Sequence, residues 1–396
     1  MSPERIKVVH IITRLDLGGA QQNTLHTVRN LDPRRFEAML LCGTGGGLDS
    51  ELQSWPSHGP RWQFAGNLVR EISPWRDLLA FFELRRLLLK EKPDVVHTHS
   101  SKAGILGRLA AWAAGVPVVV HTFHGFGFHD GQSWLKKWLC IVTERLAGSL
   151  STALVFVSRA NEDYARRYGL GRPDSYVLIR SGVKLSEFPA RCDAAEKKKS
   201  LGLEPETRLV LSVGNFKPQK NPEDFLTAAK IVARSQPDAA FVFVGDGPLR
   251  GKLEAGVGVL KPRFLMPGWR RDVAELLVAT DVFVLTSLWE GLPRALVEAM
   301  KSGVVPVCYA TDGVKDLVRD GENGFLVPQW DSTALARRVV DLLNDESLRK
   351  RLGAAAAASI DSEFDIDGMV RRQEKLYLQL SGRDSEVNPA SADRPR

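Results

Sequence analysis

Short apolar runs alternate with longer amphipathic stretches along most of the chain. In its first half the runs Lys7–Ile12, Phe36–Cys42, Val95–His99, Val116–His121 and Ala153–Val157 have the length and β-branched content of buried strands. Between them, apolar residues recur at helical spacing over Ala20–Asn30, Trp75–Lys90, Lys102–Ala114 and Trp134–Gly148. Strands that are apolar on both faces, with helices interposed, predict a parallel sheet covered on both sides.

The rhythm breaks near Phe188–Arg208, where Pro189, Lys197-Lys198-Lys199, Gly202 and Pro205 interrupt the periodicity as a hinge would. It then restarts with strands Leu209–Val213, Phe241–Val244, Phe264–Met266, Val282–Thr286 and Val305–Cys308. Helices are expected over Pro222–Arg234, Val273–Ala279, Pro293–Ser302, Ser332–Asn344 and Glu346–Ile360. The expected organisation is a Rossmann-like domain over 1–188, a hinge over 189–207 and a second Rossmann-like domain over 208–365. A C-terminal helix over 366–380, packing back on the first domain, and a disordered tail over 381–396 complete it. Two doubly wound α/β domains facing across a cleft would place ligands at the carboxyl ends of the strands.

Composition narrows the classes. With 44% hydrophobic and 26% charged residues the 396-residue chain is of globular type. Its longest apolar run, Ala110–Val120, is broken by Gly115 and Pro117 and falls short of the ~20 residues a bilayer span needs. The N-terminus lacks the apolar core of a secretory signal, so a cytoplasmic location is expected. Cys42, Cys140, Cys192 and Cys308 lie far apart and suggest neither zinc nor disulfides. The whole net charge of +7 resides in residues 1–190, an asymmetry that fits an anionic lipid or phosphorylated acceptor as well as a plain solvated surface. No Lys/Arg run or zinc-finger spacing points to nucleic acid. Trp134, Leu135, Trp138 and Leu139 beside Lys136 and Lys137 could pack on their own sheet, or make a peripheral contact at the cytoplasmic membrane face.

The chemistry concentrates in Ser287–Met300, where Glu290 and Glu298 stand eight positions apart. Pro293 suits a first helical turn, so Glu290 falls in a loop at a strand end and Glu298 about a turn into the helix. Carboxylates so placed can each accept from neighbouring sugar hydroxyls, with the free N–H groups near Gly291, Leu292 and Arg294 turned to a diphosphate between them. Glu290 and Glu298, with Gly291-Leu292-Pro293 and Ala299-Met300, resemble the signature of retaining family 4 glycosyltransferases of the GT-B fold. The resemblance extends through Gly18-Gly19, His121–Gly125, Gly214–Lys220, Val244–Pro248 and Pro267–Arg270.

That resemblance implies that Glu290 binds donor-sugar hydroxyls, Glu298 the ribose and Lys220 the diphosphate, where a cation stabilises charge building on the leaving group. It implies His121 near the reaction centre, Gly18 and Gly19 close to the donor, and Gly245, Trp269 and Arg270 in the nucleotide region. Asn215 stands where the family usually has an arginine; Lys217, two residues on in an extended strand end, would restore the charge. The expected reaction moves a sugar from a UDP- or GDP-linked donor to a hydroxyl of a glycan or lipid-linked acceptor, in cell-surface polysaccharide or glycolipid synthesis. No cofactor is expected beyond that co-substrate. No metal is expected either: His97 and His99 form an HxH with no third ligand at sensible spacing, and the DxD at Asp365–Asp367 lies in a late helical segment. A catalytically silent nucleotide-binding homologue and a sugar-nucleotide epimerase of similar fold remain the alternatives.

Overall fold

The computed structural model describes residues 4–56, 59–128 and 132–383. Two parallel sheets organise it, and the chain divides into two compact units. The first unit comprises the residues up to Val157, Asn161–Ser181 and those from Ile366 onward; the second comprises Ser158–Ala160 and Gly182–Asp365.

The first sheet has seven strands, β1 (Ile6–Arg14), β2 (Phe36–Gly43), β3 (Arg61–Phe64), β4 (Val95–His99), β5 (Val118–Phe123), β6 (Ala153–Phe156) and β7 (Tyr176–Leu178), in the order β3-β2-β1-β4-β5-β6-β7. Its helices are α1 (Gly19–Asn30), α2 (Asp49–Gln53), α3 (Pro74–Glu91), α4 (Ser101–Ala113), α5 (Trp134–Ser149) and α6 (Arg159–Tyr168). The edge strands β3 and β7, only partly buried, are too short to show in the apolar pattern. Register places His10 opposite His97 and Ile12 opposite His99, and, on the far side of β4, Thr98 opposite His121 and His99 opposite Thr122. Because side chains alternate along a strand, Val9, Ile11, Val96 and Val119 face one layer with Ala103 and Ala110 of α4. Val8, Val95, Val118 and Val120 face the other, where Met369, Val370 and Tyr377 cover them.

The second sheet has six strands, β8 (Arg208–Val213), β9 (Ala239–Val244), β10 (Phe264–Leu265), β11 (Val282–Leu285), β12 (Val305–Tyr309) and β13 (Phe325–Val327), in the order β10-β9-β8-β11-β12-β13. Helices α7 (Ala194–Lys199), α8 (Pro222–Val232), α9 (Arg250–Val257), α10 (Val273–Val278), α11 (Arg294–Lys301), α12 (Asp312–Lys315), α13 (Ser332–Asn344) and α14 (Glu346–Ala358) surround it. A core of Phe216, Phe225, Phe241, Phe243, Val282 and Leu335 fills one face.

The sequence placed the hinge at 189–207, but that segment is packed within the second unit. Lys197 of α7 reaches Asp272 at 2.8 Å and also pairs with Glu275, and the Cys192 thiol lies 3.6 Å from the Glu275 carbonyl. Charged residues of a polar-looking linker thus form ion pairs on its own unit, and the chain changes unit at 181/182 and 365/366 instead. The final helix α15 (Ile366–Leu380) covers the first sheet, and Asp367 of it meets His26 at 2.8 Å. Residues 381–383, expected in a disordered tail, continue bonding to its last turn, and Arg383 donates to the Glu4 carbonyl. The rest of the tail lies outside the described residues. Among those described, no helix is long and apolar enough to cross a membrane.

Candidate active site

In the second unit three neighbouring strands run into glycines. Gly214 follows β8, Gly245 follows β9 and Gly268 lies shortly after β10. The Gly245 N–H donates to the Gly268 carbonyl at 3.0 Å. A Cβ at Gly245 would stand 1.9 Å from the Gly214 carbonyl oxygen, and the residue's φ of +139° is one that side chains resist, so only glycine fits. The side chain of Lys220 crosses this floor, its Cδ and Cε 3.4 Å from where a Gly214 Cβ would be.

Lys220 ends a short 3-10 turn over Pro218–Lys220, and Asn221 then takes a left-handed φ of 43°. The turn is sewn to the loop after β11. Thr286 donates to the carbonyls of Lys220 and Asn221, both at 2.9 Å, Leu288 N–H to Gln219, and the Gln219 amide to Trp289. These bonds bring the Lys220 ammonium directly onto the carboxylate of Glu290, which is buried to 8% exposure. The two residues read separately from the sequence are therefore one ion pair at the sheet's carboxyl end.

Helix α11 starts at Arg294, one residue later than the spacing suggests, with Pro293 in extended conformation before it and no side-chain cap. Gly291 and Leu292 are buried in the preceding loop. Gly313 of α12 lies so close that a Cβ there would sit 1.7 Å from the Gly291 carbonyl. Glu298 pairs with Arg294 at 3.8 Å. Burial pushes its carboxyl above the usual range, and Arg294 opposes the rise. Beside this loop the hydroxyls of Ser287 and Thr311 are buried with no hydrogen-bond partner among the described residues. Thr311 and Gly313 did not stand out in the sequence and Ser287 only as the first residue of the Ser287–Met300 stretch, although all three flank the ends of β11 and β12.

Asn215 and Lys217 do not sit as an extended strand end would place them. Strand β8 stops at Val213, and the Lys217 N–H bonds the Asn215 carbonyl at 2.8 Å, a three-residue turn about the buried Phe216. The period-two alternation that would align their side chains is lost there. Trp269 is 42% exposed. Arg270 is engaged by Asp272 through two bonds of 2.7 and 2.6 Å, which hold that carboxyl well below the usual range.

In the first unit Gly18 and Gly19 open α1, whose first turn has no side-chain cap. Gly18 is extended, a conformation open to any residue, so backbone strain does not explain it. His121 is not at a strand end. β5 continues to Phe123, and His121 faces α4, where its ring would touch a Cβ at Gly104 at 2.5 Å and its Nδ1 bonds Thr98 at 2.9 Å. It is a packing residue between sheet and helix. His124, three residues on and just past the strand, lines a small cavity with Asn23, Thr24, Thr27, His99 and Thr122. Its Nδ1 is buried without a partner among the described residues.

The HxH does have a third imidazole: His10 on β1, brought beside His97 and His99 by register. Their nitrogens come within 4.8 Å of one another, so this cluster is where the described residues could gather a metal. The nitrogens are, however, engaged in hydrogen bonds. His10 Nδ1 meets His99 Nε2 at 3.0 Å, and His97 bonds Tyr377 at 2.6 Å and Thr122 at 2.7 Å. The His97 ring lies 4.3 Å from that of His99, tilted 32° to it. Burial lowers the His10 pKa to about 3 and that of His124 to about 4, and holds His97 and His99 neutral as well.

Two parallel-sheet units with a Lys–Glu pair beside an uncapped helix start describe the class of two-domain α/β transferases. The model of the "glycosyl transferase 4-like domain" matches residues 18–182, and that of "glycosyl transferases group 1" matches residues 193–359. The chain is 35% identical, over 95% of its length and 97% of the relative's, to the UDP-Gal:alpha-D-GlcNAc-diphosphoundecaprenol alpha-1,3-galactosyltransferase of Escherichia coli. It is 27% identical, over 95% and 99%, to a Campylobacter jejuni alpha-1,4-N-acetyl-D-galactosaminyltransferase named for a diphosphoundecaprenol-linked acceptor. The crystal structure of Anabaena Alr3699/HepE in complex with UDP and glucose has the same fold, with a TM-score of 0.80 at 20% identity, covering 95% of this chain and all of that one. The chain belongs to the family 4 glycosyltransferases of the GT-B fold, and it is a glycosyltransferase.

Proposed function

We propose that the protein transfers a hexose from a UDP-sugar, galactose being the first candidate, to a sugar hydroxyl on a polyprenyl diphosphate, with retention of anomeric configuration. The observation that carries the reading is the Lys220–Glu290 pair held at the strand ends beside the uncapped start of α11. A donor entering there exchanges one partner for another. Glu290 turns from the ammonium to the sugar hydroxyls, and Lys220 from the carboxylate to the diphosphate. The first amides of α11 add positive potential to the same phosphates, and Glu298 accepts from the ribose. With that charge supplied by Lys220 and the helix start, departure of UDP needs no metal ion. The leaving diphosphate then takes the acceptor proton on the face it vacates, which retains configuration. The name of the Escherichia coli relative, with its UDP-Gal donor and GlcNAc-diphosphoundecaprenol acceptor, supports the choice of substrates.

A lipid-linked acceptor agrees with the surface of the first unit. On α5, Trp134, Leu135, Trp138 and Leu139 are exposed, Trp134 to 78%, beside Lys136. Trp75 and Phe82 of α3 and Trp112 of α4 are exposed on neighbouring helices of that layer. Aromatic residues among lysines are the chemistry of interfacial binding at the cytoplasmic face of a membrane.

The test is UDP release from a panel of UDP-, GDP- and ADP-sugars, with and without GlcNAc-diphosphoundecaprenol and with EDTA, followed by NMR of the product anomer. Acceptor-dependent release of UDP, insensitive to EDTA and giving the donor's anomer, is expected. Tight UDP binding with no transfer to any acceptor would replace the reading with a silent nucleotide-binding partner.

A further inference from the structure

At the carboxyl end of the second sheet, the turn that carries Lys220 is held from a strand that is not its neighbour. Strand β12 is separated from β8 by β11, yet Tyr309 at its last position reaches across to α8, where its hydroxyl donates to Asp224 Oδ2 at 2.6 Å. The same oxygen accepts from the side-chain amide of Asn221 at 2.7 Å. Asn221 follows Lys220 directly and precedes Pro222, the first residue of α8. Asn221 and Tyr309 are buried, at 4% and 0% exposure, so water does not replace either donor. Burial and the Asp224 carboxylate push the Tyr309 hydroxyl above its usual range, so it stays protonated and donates.

Asn221 is the strained point. Its φ of 43° and ψ of 57° lie in the left-handed region, which side chains resist and asparagine tolerates better than most. Its side chain does not cap α8 but donates to Asp224, which anchors the residue against rotation to the right-handed region. The peptide between Lys220 and Asn221 is pinned at both atoms, its carbonyl accepting from Thr286 at 2.9 Å and its N–H donating to the Pro218 carbonyl at 3.2 Å. The φ of Asn221 therefore sets the angle at which the Pro218–Lys220 turn meets α8, and with it the direction of the Lys220 side chain toward Glu290.

We infer that Tyr309 is a positioning residue for Lys220: through Asp224 and Asn221 it keeps the turn that presents the ammonium to the donor diphosphate. The inference rests on the placement of Lys220 at the diphosphate proposed above. It gives a core tyrosine, two strands away in the sheet, a part in donor binding.

The test is calorimetric titration of UDP into the full chain, as wild type, Tyr309→Phe, Lys220→Ala and the double variant, each checked for folding by circular dichroism. Lys220→Ala should weaken UDP binding about tenfold and Tyr309→Phe about fivefold. In the Lys220→Ala background Tyr309→Phe should change the affinity by less than about twofold, because a residue that acts through the ammonium has nothing left to act on. A folded Tyr309→Phe that binds UDP like the wild type overturns the inference. So does a full Tyr309→Phe loss in the double variant, which would make the phenol a support of the sheet end as a whole. Should Tyr309→Phe not fold, Asn221→Ala cuts the same link from the other side and runs through the same cycle with the same expected result. Wild-type affinity in Lys220→Ala removes Lys220 from the diphosphate and the inference with it. A loss in Lys220→Ala alone leaves that placement standing and strikes only the role of Tyr309.

Discussion

In the first unit five histidines, His10, His97, His99, His121 and His124, are kept neutral by burial in and beside the sheet. In the second, a lysine and a glutamate sit as an ion pair at the sheet's carboxyl rim, where the lysine side chain remains 18% exposed. The difference follows from depth. Mid-sheet, a full charge would cost several kcal/mol in desolvation, and an imidazole that donates and accepts satisfies its neighbours without one. At the rim, water and glycine backbone leave room for charges that a ligand can separate. One unit buries neutral imidazoles, and the other carries a charge pair at its rim.

Removing the charges should have the largest effect. Lys220→Ala and Glu290→Ala are each expected to reduce transfer by about a thousandfold, some 4 kcal/mol of barrier, in initial-rate assays of UDP release. Folding monitored by circular dichroism should change far less. Equal loss of transfer and of folded protein would mean the pair is structural. Next comes the glycine floor. In Gly245→Ala the new Cβ meets the Gly214 carbonyl and the φ is strained, so about 3 kcal/mol of stability should be lost, read by urea titration and confined by hydrogen exchange to β8 and β9.

Acid should act on the other unit. The folded pKa of His10 near 3 lies below the unfolded value near 6.5, so the stability it contributes is complete above pH 6.5 and is lost as pH falls toward 3. At pH 5 that single residue should cost about 2 kcal/mol. Amide exchange in β1, β4 and β5 should accelerate relative to pH 7.5 more than in β8 and β9. Uniform acceleration in both sheets would break the contrast. The smallest effect is expected from Lys217→Ala. A loss of about tenfold in kcat, roughly 1.4 kcal/mol, would show that Lys217 makes up for the charge absent at Asn215. An unchanged rate, with Lys220→Ala inactive, would show that it does not.

Much of this molecule is legible in one dimension. Central parallel strands are apolar throughout because both faces are buried, so β1, β4, β5, β8, β9 and β11 stand out, while the short, part-exposed edges β3 and β7 and the three-residue edge β13 do not. Glu290, Glu298 and Lys220 could be picked out because their chemistry travels with local glycine and proline signals. His121 was expected at a strand end, but β5 runs on to Phe123 and His121 faces α4, because the apolar pattern gives no sign of where the strand stops or which face α4 covers. The 189–207 segment misled too, its charges reading as solvent-facing until ion pairs with Asp272 and Glu275 fix α7 in place.

The central strands and the longer helices were determined by the sequence, because periodicity and turn chemistry act between near neighbours, and the family followed from the resemblance of its motifs. Which imidazoles meet was decided only by the tertiary structure. His10, His97, His99, His124 and Tyr377 come from two adjacent strands, a loop and the last helix, and only register and the return of α15 bring them within hydrogen-bond reach.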